Sequence, residues 1–142
     1  MIILDTDHLT VIQRQNEPAY TILRKRLRQT AETVGTTIIS LEEQMRGWLA
    51  VVNRAKRIEQ QTTAYRQLHL LFDFFGKLPV LDFDEAAAEQ FLQLRRSRSR
   101  LGSMDLKIAA IALSQSALLL SRNLTDFLRV PSLHVEDWTQ EG

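Results

Sequence analysis

The sequence predicts an α/β fold, a mainly parallel sheet of four to five strands doubly wound with helices. Three observations carry that class. Short β-branched or apolar runs alternate with longer helical patterns along the chain. Ile2-Ile3-Leu4 and Leu118-Leu119-Leu120 are apolar at every position, as strands covered on both faces are. Between such runs, apolar residues recur three and four positions apart, which puts them on one stripe of a helix.

Each element has a local reason. Ile2 to Leu4 is the first strand, ended by Asp5. Pro18 suits the first turn of a helix running to about Arg28, because its ring presets φ and its missing N–H is not needed there. Val34 to Ile39 is β-branched and forms the second strand. Ser40, with Glu43 three residues on, opens the next helix as a capping box. A helix from about Ile58 to Phe75 turns Leu68, Leu71, Phe72 and Phe75 to one side and stops at Gly76. Pro79-Val80-Leu81 is a short strand. Asp84 caps a helix to about Leu94, with Ala88, Phe91 and Leu92 inward. Ser97 to Met104 is a polar loop, and Asp105 opens a helix with Ile108, Ala109, Ala112 and Leu113 inward. Ala117 to Leu120 is the next buried strand, and Leu133-His134-Val135 the last. No repeat or linker interrupts the series, so residues 1–142 are expected to form one domain.

Composition narrows the chemistry. The chain has no cysteine, which excludes disulfides, thiolate metal sites and cysteine nucleophiles and suits a reducing cytoplasm. Met1 to Leu4 lacks the basic start and the length of a secretory signal, and Leu118 to Leu120 is far short of a membrane span. A cytoplasmic protein is expected. The net charge is only +1, but the cations cluster at Arg24-Lys25-Arg26-Leu27-Arg28 and at Arg95-Arg96-Ser97-Arg98-Ser99-Arg100. Such clusters are either solvated helix faces or phosphate-binding surfaces.

The acids are placed where a parallel sheet binds ligands, beyond the carboxyl ends of strands. Asp5 follows the first strand, Glu43 the second, Asp126 the strand ending at Leu120, and Asp105 stands in a helix first turn. Each has a local explanation as well: Asp5 as a helix cap, Glu43 in a capping box, Asp105 on a helix dipole, Asp126 as a turn residue. A local explanation does not account for all four falling at one edge. Four carboxylates in one place repel, by about 4 kcal/mol for a pair ~4 Å apart at an effective dielectric near 20. They require protons, cations or metal, and an all-oxygen donor set favours Mg²⁺ or Mn²⁺. Two such ions can hydrolyse a phosphodiester.

These residues also resemble a known family. Ile2-Ile3-Leu4-Asp5-Thr6-Asp7 resembles the opening block of PIN-domain nucleases of the VapC type, and Thr37 to Gly47 their second block, with Glu43 four residues before glycine. Gly102 to Ala110 around Asp105, and Ser121-Arg122-Asn123-Leu124-Thr125-Asp126-Phe127, resemble the third and fourth; Leu133 to Trp138 resembles the closing strand. The resemblance implies a PIN fold, with Asp5, Glu43, Asp105 and Asp126 holding one or two Mg²⁺ or Mn²⁺ ions. It implies endonucleolytic RNA cleavage by metal-activated water, a small VapB-like antitoxin that occludes the site, and a homodimeric toxin. Thr6, Ser121 and Asn123 match supporting polar positions. Asp7 stands where the family often has Asn and is expected as an outer acid. Arg95, Arg96, Arg98 and Arg100, which lead towards Asp105, are expected RNA-phosphate contacts.

Two alternatives compete. Asp5-Thr6-Asp7 after an apolar strand also resembles the first motif of haloacid-dehalogenase-like phosphatases, with Asp5 as nucleophile and Asp7 as acid/base. That reading leaves Glu43 without a task and finds no acidic pair just after Leu120. The other alternative is a non-catalytic PIN-like module that binds RNA or protein. His8, His69 and His134 have no metal-ligand spacing and are expected as surface or core residues, and no phosphate-binding glycine loop or nucleophilic-serine elbow is present.

Overall fold

In the computed structural model, which describes residues 1–97 and 100–142, five parallel strands form one sheet. They are β1 (Ile2–Leu4), β2 (Val34–Thr37), β3 (Val80–Leu81), β4 (Leu118–Leu120) and β5 (His134–Glu136). Their order is β3-β2-β1-β4-β5, with every neighbouring pair parallel. Seven helices connect them among the described residues: α1 (Thr6–Arg14), α2 (Ala19–Gln29), α3 (Ile38–Arg54), α4 (Ile58–Phe75), α5 (Glu85–Arg96), α6 (Ser103–Ser114) and α7 (Leu124–Phe127). The chain builds outward from β1 to β3, then crosses back to lay β4 on the other side of β1. The strand order therefore reverses at β1, and the crevice beyond its carboxyl end is where this topology receives ligands.

Register explains the unbroken apolar runs. Ile3 pairs with Leu119 and Leu119 with Val135, so these three form a row on one face. That face packs on α5 and α6 through Ala87, Leu94, Ile108 and Ile111. Ile2 pairs with Leu118 and Leu4 with Leu120 on the other face, which meets Leu9, Leu23, Leu71, Phe75 and Trp138. Each fully buried Ile or Leu of these strands contributes roughly 1.5–3 kcal/mol. Where β2 passes closest to the β3 side, the sequence has Gly35: a Cβ there would lie 2.6 Å from the Pro79 carbonyl oxygen.

Several boundaries and faces differ from expectation. β2 stops at Thr37 rather than Ile39, because Thr37 caps α3, its Oγ1 accepting the Ser40 backbone N–H at 3.2 Å. Ser40 is thus not the cap of a capping box; it lies inside α3 and is fully buried. The β-branched pair Ile38-Ile39 is helical despite its strand propensity, since the cap and the burial of Ile39 outweigh it. Phe72 faces solvent at 76% exposure while Leu71 and Phe75 are buried. In α5 the inward stripe is Ala87, Phe91 and Leu94: Phe91 faces inward as expected, while Ala88 is half-buried and Leu92 exposed. Asp126 lies in the short helix α7 rather than a simple turn. The helix opened by Pro18 and the cap at Asp84 stand as expected. Among the described residues no helix is long and apolar enough to cross a membrane.

Candidate active site

Asp5 leaves β1 at its carboxyl end and caps α1, its Oδ1 accepting the Thr6 backbone N–H at 2.7 Å. Its other oxygen, Oδ2, accepts the Ser121 hydroxyl at 2.7 Å. Ser121 directly follows β4, so the two central strands deliver this pair to one point. The capping role and a shared site therefore coexist, one oxygen serving each. Asp5 is buried, and burial together with the charge of Asp7 pushes its pKa up to about 7; Asp105 adds to the rise, while the bonds from Ser121 and Thr6 oppose it.

Asp7 behaves differently. Burial alone would raise it, but hydrogen bonds from His8, from the Arg122 backbone N–H and from Ser121 outweigh burial and hold it below the usual range. His8 Nδ1 is 2.7 Å from Oδ1, Arg122 N donates to Oδ2 at 2.9 Å, and Ser121 Oγ stands 3.3 Å from Oδ2. Asp7 is thus a fixed anion with both oxygens engaged.

α3 brings Glu43 to the same crevice. Thr6 Oγ1 is 3.1 Å from Ser40 Oγ and 3.4 Å from Glu43 Oε1, so the residue that anchors Asp5 through its N–H reaches Glu43 through its hydroxyl. Burial and then the charge of Asp105 raise the Glu43 carboxyl. Asp105, in the first turn of α6, is raised by burial, then by Asp126 and Asp7. Asp126 accepts a hydrogen bond from Asn123 Nδ2 at 3.1 Å. Asp5, Glu43, Asp105 and Asp126 therefore face one another electrostatically, with Asp105 the common neighbour. Among the described residues no group of three or more acids or histidines is placed closely enough to hold a metal ion. The cluster supplies oxygen donors only.

A family model described as the PIN domain matches residues 2–133. The chain belongs to the PIN domain family. The likeness extends to solved structures. The DNA-bound VapBC of Salmonella typhimurium superposes with a TM-score of 0.75 at 27% identity, covering 96% of this chain and 97% of that one. VapBC-1 of nontypeable Haemophilus influenzae gives 0.72 at 26% identity, covering 99% and 100%. In sequence, the PIN domain is 33% identical over 84 residues to the tRNA(fMet)-specific endonuclease VapC of Salmonella typhimurium, which is 56% of this chain and 64% of that protein. It is 34% identical over 77 residues to ribonuclease VapC2 of Haemophilus influenzae, 51% of this chain and 58% of that protein. The matched stretch thus spans less than two thirds of these curated relatives. Membership sets aside the haloacid-dehalogenase-like alternative, and in this PIN domain both oxygens of Asp7 are engaged, by His8 and by the Arg122 backbone N–H.

The basic residues divide. Arg95 lies 5.4 Å over the Phe91 ring, and Arg96 is exposed. Arg100 lines a cleft of about 300 Å³ that also touches Asp126 and Arg129. Arg98 lies outside the described residues. Arg129, which no motif marks, lines the same cleft as Arg100. His8 lies in the core, one of the two places expected for it, but its contact with Asp7 was not foreseen. The available signal was a histidine occupying the apolar stripe of α1 with Leu9 and Val11, next to an acid.

Proposed function

We propose that this PIN domain, with residues 1–142 acting as one unit, is a metal-dependent endoribonuclease and the toxin half of a toxin–antitoxin pair. The observation that carries the reading is the electrostatic meeting of Asp5, Glu43, Asp105 and Asp126 at the switch point of the sheet. RNA as substrate is supported by relatives named as a tRNA(fMet)-specific endonuclease and a ribonuclease. A VapB-like antitoxin as partner is supported by the likeness to VapBC assemblies. A second copy of the chain and a cytoplasmic setting complete the proposal.

The residues fit a divalent cation. Asp5, Glu43 and Asp105 are all raised by burial and by neighbouring carboxylates, the condition of a site short of positive charge. The donors are hard oxygens without nitrogen or sulfur, which suits one or two Mg²⁺ or Mn²⁺ ions held by the four acids. When bound, such an ion supplies Lewis acidity that makes water nucleophilic near neutral pH and offsets charge on phosphate oxygens. The chain's own work is positioning. Thr6 ties Asp5 to Glu43, Ser121 orients Asp5, and Asn123 orients Asp126. Asp7 supports Ser121 from outside. Arg95, Arg96, Arg98 and Arg100 would carry the RNA backbone.

The test compares RNA cleavage by the wild type and Asp105→Asn in Mg²⁺, Mn²⁺ and EDTA. The reading requires wild-type cleavage that EDTA abolishes and a loss of at least about 100-fold in the variant, the scale of a removed transition-state interaction. RNA binding with no metal-dependent cleavage of any RNA would instead leave a non-catalytic binding module.

A further inference from the structure

His8 has no access to solvent, yet both of its ring nitrogens are partnered. The Trp138 backbone N–H, which can only donate, meets Nε2 at 3.2 Å. Nε2 therefore presents a lone pair, and the ring hydrogen sits on Nδ1, where it donates to Asp7 Oδ1 at 2.7 Å. A doubly protonated ring would aim an N–H at another N–H. Asp137 Oδ1, 3.6 Å from Nε2, is beyond hydrogen-bond reach and already accepts from Thr139 N and Oγ1 at 2.8 and 2.5 Å.

The segment behind His8 is firmly seated. Trp138 is buried, Arg26 lies 4.8 Å over its ring, and its Nε1 donates to Glu136 Oε1 at 3.1 Å. The next residue, Thr139, is also buried and accepts from Arg122 Nε at 3.0 Å. Arg122 in turn donates its backbone N–H to Asp7 Oδ2. Two adjacent residues of the C-terminal segment thus grip Asp7 from opposite sides, Trp138 through His8 on Oδ1 and Thr139 through Arg122 on Oδ2. Asp7 Oδ2 faces Ser121, the residue that holds Asp5.

We propose that His8 is a positioning residue: its Nδ1–H fixes the orientation of Asp7 and, through Ser121, of Asp5, while the Trp138 backbone N–H holds the imidazole in the tautomer that donates. The proposal rests on the metal-nuclease reading for its effect on metal affinity, not for the linkage itself. Groups that orient metal-binding side chains typically change affinity 10–100-fold when lost.

Two full-length variants separate the halves of the link. Asn places its amide near Nδ1 and can still donate to Asp7; Gln places its amide near Nε2 and can still accept from Trp138. In wild type without metal, ¹⁵N NMR of the imidazole is expected to show the Nδ1–H tautomer. His8→Gln is expected to speed hydrogen exchange of the Arg122 amide and to weaken binding of manganese alone at least about tenfold. His8→Asn is expected to restore both to near wild type. An Nε2–H tautomer overturns the proposal, as do Gln and Asn variants that behave alike. If wild type binds no manganese while the Arg122 amide still separates Gln from Asn, the metal reading fails and the linkage stands.

Discussion

Ser121 Oγ donates to Asp5 Oδ2 at 2.7 Å, joining residues 116 positions apart across the two central strands. The same hydroxyl accepts the Asn123 backbone N–H at 3.0 Å, so one serine ties the end of β1 to the start of α7, which carries Asp126. Removing it in Ser121→Ala deprives a buried carboxyl of a partner. A loss of about 1–3 kcal/mol is expected, measured by denaturant unfolding. A variant as stable as wild type would mean that this bond carries no weight.

Asp5 sets the pH dependence of the metal-free protein. Its folded pKa of about 7 lies above its unfolded value near 3.8, so the native state holds a proton that the unfolded chain releases. This contribution is fully present below pH 3.8 and is lost as pH rises towards 7. At roughly 1.4 kcal/mol per pKa unit, the loss reaches as much as about 4 kcal/mol. Asp5→Asn in EDTA should therefore be more stable than wild type at pH 8, and melting curves from pH 4 to 8 should flatten. Asp7 has the opposite sign: held low, it adds stability above its unfolded pKa that is lost as pH falls through its folded one. An apo protein whose melting temperature rises between pH 4 and 7 would contradict the assignment.

Divalent ions should reverse that trend. A ligand that binds only the native state stabilises by RT ln(1 + [L]/Kd), about 2.7 kcal/mol at a hundredfold excess over Kd. Manganese should raise the melting temperature of wild type at pH 8 and have little effect on Asp105→Asn. Equal shifts in both proteins would remove Asp105 from the ligand set.

Gly35 tests packing apart from chemistry. A Cβ at this position meets the Pro79 carbonyl oxygen at 2.6 Å, and backbone must move to admit it. Gly35→Ala should cost about 1–3 kcal/mol, the usual penalty of overpacking. A shift in unfolding midpoint within error of wild type would show that β2 and the segment leading into β3 are more loosely packed than described.

Arg100 and Arg129 flank Asp126 in one cleft. If each neutralises one phosphate of single-stranded RNA, Arg100→Ala and Arg129→Ala should each lower the slope of log affinity against log salt by roughly 0.7. The comparison uses a catalytically inactive background so that binding alone is read. An unchanged slope would take both arginines out of the RNA path.

The strands and most helices were legible in the chain because their signals are local. Ile2-Ile3-Leu4 and Leu118-Leu119-Leu120 suit strands covered on both faces, and Pro18 and Asp84, each followed by a helical pattern, mark helix starts. The placement of three acids was legible through spacing: Asp5 sits just past β1, and Asp105 and Asp126 stand in helix first turns, whereas Glu43 lies six residues into α3 because that helix starts earlier than expected. The exposure of Leu92 and Phe72 was not legible, because which side of an apolar-rich helix is buried depends on what packs against it.

Tertiary structure alone decided how the acids differ from one another. Asp5 and Asp7 are two residues apart and chemically identical, yet one is raised and the other lowered. The difference comes from burial and from donors supplied by His8, Ser121 and Arg122, the last two arriving from β4 and its following loop. Composition and pattern could specify that carboxylates gather beyond the strand ends, since strand position follows from short-range preferences. They could not specify which carboxylate keeps its charge, since that depends on burial and on Ser121 and Arg122, more than a hundred residues away, as well as on the adjacent His8.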